Sequence, residues 1–201
     1  MSTGRTASDT APATVEESQR ERLLTAALDL FYRQGVHAAA SALCESAGIS
    51  KKSMYQLYDS KDALLVAALE RRILIDAAFL LPPPDFDPSP RARLLHVFEQ
   101  LEKFARSPDY MGCAYLTSQV ELKDPSHPTS IVAARLKRKH LEGFFHAEAE
   151  RGKATDAAFL TRQLITLYDG ASTRAGLGAD DLQGLAVATA DTLIRAAGVN
   201  D

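Results

Sequence analysis

The sequence of 201 residues contains only two cysteines, Cys44 and Cys113. They stand far apart and belong to no CxxC or Cys/His cluster, which argues against a structural zinc site and suits a reducing compartment, the cytoplasm. No apolar run reaches the roughly 20 residues a membrane-spanning helix requires, because charged side chains interrupt each one. Residues 1–13 are rich in Ser, Thr and Ala and lack the apolar segment of a secretory signal; a disordered tail is expected there. A basic surplus is missing too: 23 Lys and Arg stand against 26 Asp and Glu, a formal net charge of -3, so any contact with a polyanion must be local. The placement of Lys51, Lys52 and Lys61 is therefore more informative than the total. No Ser/His/Asp order, metal motif or phosphate loop is present, so the expectation is no enzyme, no metal and no cofactor.

Strand-like alternation is almost missing as well. Apolar positions recur every three or four residues outside short Gly and Pro breaks, which predicts an all-α fold. Thr14 with Glu17 has the spacing of a capping box and opens a first helix that runs through Leu23, Leu24 and Phe31 until Gly35 stops it. A short second helix over 39–47 ends at Gly48, which can take the left-handed conformation. Ser50 caps a third helix over 51–58, and Ser60 caps a long fourth from Lys61 to the Pro82-Pro83-Pro84 break. Further helices are expected over about 91–107, 110–122, 130–150, 156–175 and 180–197, the last opened by Asp180 with Gln183 at capping-box spacing. The organisation predicted is a helix-turn-helix domain over 14–62 and a larger helical domain over 63–201.

A short helix, a two-residue Gly48-Ile49 turn and a second capped helix bearing Lys51, Lys52, Ser53, Tyr55 and Gln56 are what a major-groove reader needs. Lysines near a helix N-terminus can reach phosphate or guanine, Gln56 can pair with adenine, and Ser53 can serve either. Tyr55 offers a hydroxyl at phosphate height. Backbone N–H groups beside Lys61 offer a second phosphate anchor. The competing reading is a plain helical hairpin with these residues as solvated surface.

The run Phe31-Tyr32-Arg33-Gln34-Gly35, followed by Ala47-Gly48-Ile49-Ser50-Lys51-Lys52-Ser53-Met54-Tyr55-Gln56-Leu57-Tyr58-Asp59-Ser60-Lys61-Asp62-Ala63-Leu64, resembles the signature of the TetR family of transcriptional regulators. The glycine turn, Tyr55, the aromatic Tyr58 three residues later and the Ser60-Lys61 pair stand together at the family's spacing. The resemblance implies that Tyr55 and Lys61 hold phosphates while Lys51, Lys52, Ser53 and Gln56 lie near bases, with Ser50 and Tyr58 completing the DNA-binding set. It implies a homodimeric repressor on palindromic double-stranded operator DNA, released by a small-molecule effector. It covers the first third of the chain closely and the remainder only in the arrangement of helices. One departure lies in 36–41, where Ala38-Ala39-Ala40 replaces the family's Thr-Thr or Thr-Ser N-cap of helix two. An alanine there costs about 0.5–2 kcal/mol, unless Ser41 caps a helix shortened by one turn. This departure and the acidic balance leave open a helical small-molecule-binding or scaffold protein without DNA recognition.

In the larger domain Phe98, Leu101, Tyr110, Cys113, Tyr115, Leu116, Gln119, Phe144 and Tyr168 have the composition of a small-molecule cavity in a helical bundle, or of an ordinary core. His140 falls four residues after Leu136 and four before Phe144, on an inward face, and either meets a ligand or finds a partner in the core. Cys113 reads as packing or pocket. The run Arg135, Lys137, Arg138 and Lys139 reads as a solvated face. The last two helices carry leucines and small residues suited to a four-helix dimer interface or to packing within one subunit. Two reading helices of a dimer must lie about 34–36 Å apart, and the fourth helix, which joins reading head to sensing domain, carries that distance.

Overall fold

The computed structural model describes residues 15–86 and 89–199, and these are helical with no strand among them. The expected tail over 1–13 and the Thr14 cap lie outside the described residues. Three helices form the head: α1 (Val15–Gln34), α2 (Ala40–Ala47) and α3 (Lys51–Leu57). The long α4 (Lys61–Leu80) leads away from it, followed by α5 (Pro90–Ala105), α6 (Ala114–Leu122), α7 (Pro128–Lys137), α8 (Gly143–Arg151), α9 (Ala157–Gly176) and α10 (Leu185–Ala196). Helix α4 packs on α1 of the head and on α5 and α7 of the larger domain, so one element is shared by both.

Most boundaries follow local chemistry. Ser50, Ser60, Ser89 and Asp156 each accept a hydrogen bond from a first-turn N–H of the helix they open. Gly48 closes α2 at φ 63°, where a side chain would be strained. The head's core is Leu23, Ala27, Phe31, Leu43, Met54 and Leu57, joined by Leu64 and Leu65 of α4. Two arginines of α1 finish its neighbours: Arg20 donates to the carbonyl of Leu57 at 2.7 Å, and Arg22 to that of Ala47 at 3.1 Å. Each cation thus sits at a helix C-terminus, where the exposed carbonyls favour positive charge.

Four expectations need correction. Helix α2 begins at Ala40 with Ala39 as a cap that makes no side-chain bond, so Ser41 does not shorten it. Helix α6 begins at Ala114 and not near Tyr110, because Gly112 takes φ +87° where it passes Gly176 and Ser172 of α9. The helix predicted over 130–150 is α7 and α8 joined by a π turn, Arg138–Glu142. Wider hydrogen-bonded rings there shift the register of everything downstream. The last helix starts at Leu185, not Asp180. Leu182 and Gln183 take positive φ, and Asp180 accepts from the N–H of Leu182 at 3.0 Å. The cap comes from another helix. The buried carboxylate of Glu102 on α5 accepts from Gly184 at 2.7 Å, Ala186 at 2.9 Å and Val187 at 3.1 Å. A distant negative charge at a helix N-terminus has no sequence spacing to betray it.

Candidate functional site

On the head, the heptapeptide α3 buries Met54 and Leu57 and turns Lys51, Lys52, Tyr55 and Gln56 outward, Tyr55 being 51% exposed. A short helix held by two buried side chains and a cap presents its other face as a fixed surface. Ser50 accepts from the N–H of Ser53 at 3.0 Å, and the two hydroxyls lie 2.9 Å apart, so both serve the turn itself. Tyr58 is placed differently from its neighbours. It is buried, and the Arg20 guanidinium covers its ring at 4.6 Å, a cation–π contact that holds α1 to the end of α3. Lys61 also turns inward: its ammonium donates to the carbonyls of Val36 at 3.0 Å and Ala38 at 3.3 Å. The loop that lacks a hydroxyl cap is thereby tied to the first turn of α4.

In the larger domain a cavity of about 380 Å³ opens between α4, α5, the 107–115 segment, the π turn and α9. Of the residues named from sequence, Leu101, Tyr110, Cys113, Tyr115, His140 and Tyr168 line it. Phe98 does not; it stacks on Phe145 at 5.7 Å in the core. Leu116, Gln119 and Phe144 also lie off the wall, and the Gln119 amide donates to the carbonyl of Tyr115. The 3.6-residue period places an apolar residue inward without saying whether a void or another side chain meets it.

The cavity's charged groups are the ones sequence reading missed. Arg72 and Asp76, one turn apart on α4, pair at 2.8 Å, and the second carboxylate oxygen of Asp76 accepts from the Tyr115 hydroxyl at 3.1 Å. Burial pushes the Asp76 carboxyl up, against Arg72 and Tyr115, which favour its charged form. Lys137 is 6% exposed, lines the cavity and pairs with Asp169 of α9. This corrects its reading as part of a solvated basic face; Arg135, Arg138 and Lys139 are exposed. An i, i+4 pair such as Arg72 and Asp76 looks in sequence like any surface pair. The Cys113 thiol is raised by burial, with Lys137 opposing, which favours an inert protonated sulfur.

The exposed pair of Arg33 with the cavity-lining Asp109 at 3.0 Å ties the head to the larger domain, and two further bridges involve Tyr32 and Glu121. The Arg72 guanidinium stacks on the ring of Tyr32 at 4.0 Å; the Tyr32 hydroxyl accepts from the N–H of Met111 at 2.9 Å and donates to the carbonyl of Gly112 at 3.2 Å. Tyr32 belongs to α1, and Met111 and Gly112 to the segment at the cavity edge. The second bridge is Glu121 of α6, which accepts from the N–H of Val36 at 2.6 Å in the loop that Lys61 also grips. No group of three or more potential metal ligands occurs among the described residues, and none of their helices is long and apolar enough to cross a membrane.

An outward-facing helix-turn-helix head, joined by one long helix to a hollow helical bundle, is the architecture of a single-chain transcriptional regulator. Residues 23–68 match the family model for bacterial regulatory proteins of the tetR family. A crystal structure from Streptomyces avermitilis, described as a TetR transcriptional regulator, shares 54% identity over 90% of this chain and 99% of that one, with a TM-score of 0.87. The chain belongs to the TetR family of transcriptional regulators. The fold also matches a TetR-family regulator from Streptomyces coelicolor (23% identity, 92% of this chain and 97% of that one, TM-score 0.75). It likewise matches E. coli NemR in its reduced form (20% identity, 89% and 96%, TM-score 0.71). No curated protein matches the chain.

Proposed function

We propose that this regulator is a cytoplasmic, ligand-responsive repressor that binds a palindromic operator as a homodimer and lets go when a small molecule fills the cavity between α4 and α9. The observation that carries the reading is Arg72. It stands on the cavity wall, on the helix that leads out of the head, and its guanidinium stacks on Tyr32 of the head's first helix. A molecule that moves Arg72 or its partner Asp76 moves the surface on which α1 rests. Two reading helices about 34–36 Å apart fit successive major grooves, and a tilt of α4 changes that separation. A ligand that prefers the tilted state depopulates the DNA-bound one by its difference in affinity. Dimerisation through α9 and α10 is supported by Phe159 and Leu185, which hold large apolar side chains in solvent on these helices.

On the DNA side, Lys51, Lys52, Tyr55 and Gln56 make the direct contacts, while Lys61 and Tyr58 set the posture of the head. The test is selection of bound duplexes from a random pool by the full chain, followed by titration of the recovered site at several salt concentrations. A palindromic site, a dimer in light scattering and an affinity that falls steeply with salt are expected. A monomer in solution, or no enriched sequence, refutes the reading.

A further inference from the structure

The Tyr168 hydroxyl is out of place in an ordinary core. Tyr168 is 5% exposed and lines the cavity, and its hydroxyl makes no hydrogen bond to any described residue. A hydroxyl that faces a largely apolar cavity without a protein partner is free to donate to whatever fills that cavity. The carboxylates, the permanent cations and the other phenols on this wall are engaged. Both oxygens of Asp76 are taken by Arg72 and Tyr115, and Lys137 pairs with Asp169. Tyr110, on the same wall, shares a hydrogen bond with Ser172 at 2.8 Å.

Two consequences for the occupant follow. First, both permanent cations on the wall, Arg72 and Lys137, already have their own carboxylates, while the half-buried His140 lines it without one among the described residues. An anion drawn to Arg72 or Lys137 would have to break one of these largely buried pairs and leave its carboxylate uncompensated, which is unfavourable. Second, the Tyr168 hydroxyl, on the more deeply buried of the side chains that lack a partner there, is a donor. Burial holds the Tyr168 phenol well above its ordinary range, so it keeps its proton and offers it. The rest of the wall is largely hydrocarbon, with Leu101, Leu141, Phe79 and Phe104 among it.

We propose that the cavity takes an uncharged, mainly apolar small molecule carrying a carbonyl oxygen that accepts the Tyr168 hydroxyl hydrogen bond. This rests on the cavity being the effector site proposed above, but its ligand chemistry can be tested without DNA.

The experiment is calorimetric titration of the full chain with three molecules of one shape: 2-acetonaphthone, the hydrocarbon 2-ethylnaphthalene and the anion 2-naphthoate. The ketone should bind about tenfold more tightly than the hydrocarbon, the worth of one buried hydrogen bond, and more tightly still than the anion. In Tyr168→Phe the ketone should lose that advantage while the hydrocarbon binds as before. That substitution removes only an unpartnered hydroxyl, so the variant should melt at or above the parent temperature. Tightest binding by the anion, no binding by any of the three, or a ketone preference that survives Tyr168→Phe overturns the proposal. An operator titration with the ketone present addresses the regulatory reading separately. Tight, Tyr168-dependent binding that leaves DNA affinity unchanged defeats release by this cavity and leaves the ligand chemistry standing.

Discussion

The Arg72 guanidinium lies 4.0 Å from the centre of the Tyr32 ring, so a cation on the cavity wall and an aromatic ring of the DNA-reading head form one unit. The same arginine pairs with Asp76 at 2.8 Å, and the same tyrosine bonds to Met111 and Gly112 through its hydroxyl. The head and the larger domain therefore share polar contacts as well as a helix.

Tyr32→Phe keeps the stacked ring and removes only the hydroxyl. The N–H of Met111 and the carbonyl of Gly112 lose their partner, and stability should fall by about 1 kcal/mol, measured by urea unfolding. Operator affinity of the ligand-free protein should change as well, since the head loses one of its ties to the cavity edge. Unchanged affinity together with unchanged stability would mean that the contact couples nothing.

Ala39→Ser supplies the hydroxyl that the N-cap of α2 lacks. Its backbone is already extended at φ -71° and ψ 137°, as an N-cap requires. A gain of about 1 kcal/mol is expected in thermal or urea unfolding. Lys61→Met should act in the opposite sense, by about 1–3 kcal/mol, because the carbonyls of Val36 and Ala38 lose a charged donor. If Lys61→Met leaves stability intact and only weakens DNA binding, its role is phosphate contact and not loop support.

Gln56→Ala and Lys52→Ala should fail in different ways on the selected operator. Loss of Gln56 should relax discrimination at one base pair by about 1–3 kcal/mol. Loss of Lys52, if it contacts phosphate, should weaken all sequences alike and lower the slope of log affinity against log salt by about one. Both side chains are exposed, so circular dichroism should show no change. Wild-type binding by both variants would remove α3 from the interface.

Glu102→Ala should destabilise the larger domain by about 3 kcal/mol, because three N–H groups at the start of α10 lose a buried charged acceptor. Glu102→Gln, which keeps one carbonyl oxygen, should recover part of that loss. Since α10 is half of the proposed dimer face, the dissociation constant of the dimer should rise in the same order, measured by analytical ultracentrifugation. Equal stability of all three proteins would show that the cap is without weight.

The reading head was legible in the sequence because its determinants are local. Ser50 and Ser60 cap by spacing, Gly48 closes a helix by its own φ, and Met54 with Leu57 fixes which face of a seven-residue helix turns outward. Six of the ten residues picked out by their apolar and aromatic composition, or by period in the case of His140, line the cavity. Phe98, Leu116, Gln119 and Phe144 lie off its wall, because residue type and a helical face identify inward positions but not the voids between helices.

What only the tertiary structure decided is how groups far apart in the chain meet. The Glu102 cap on α10, the Lys137 pair with Asp169, Lys61 on the 36–38 carbonyls and Arg72 on Tyr32 all join residues from different elements. No spacing rule reaches across such separations, since a charge is specified by whatever surface folds against it. Capping, turn and periodicity are written residue by residue, whereas buried electrostatics and cavities exist only once helices have packed.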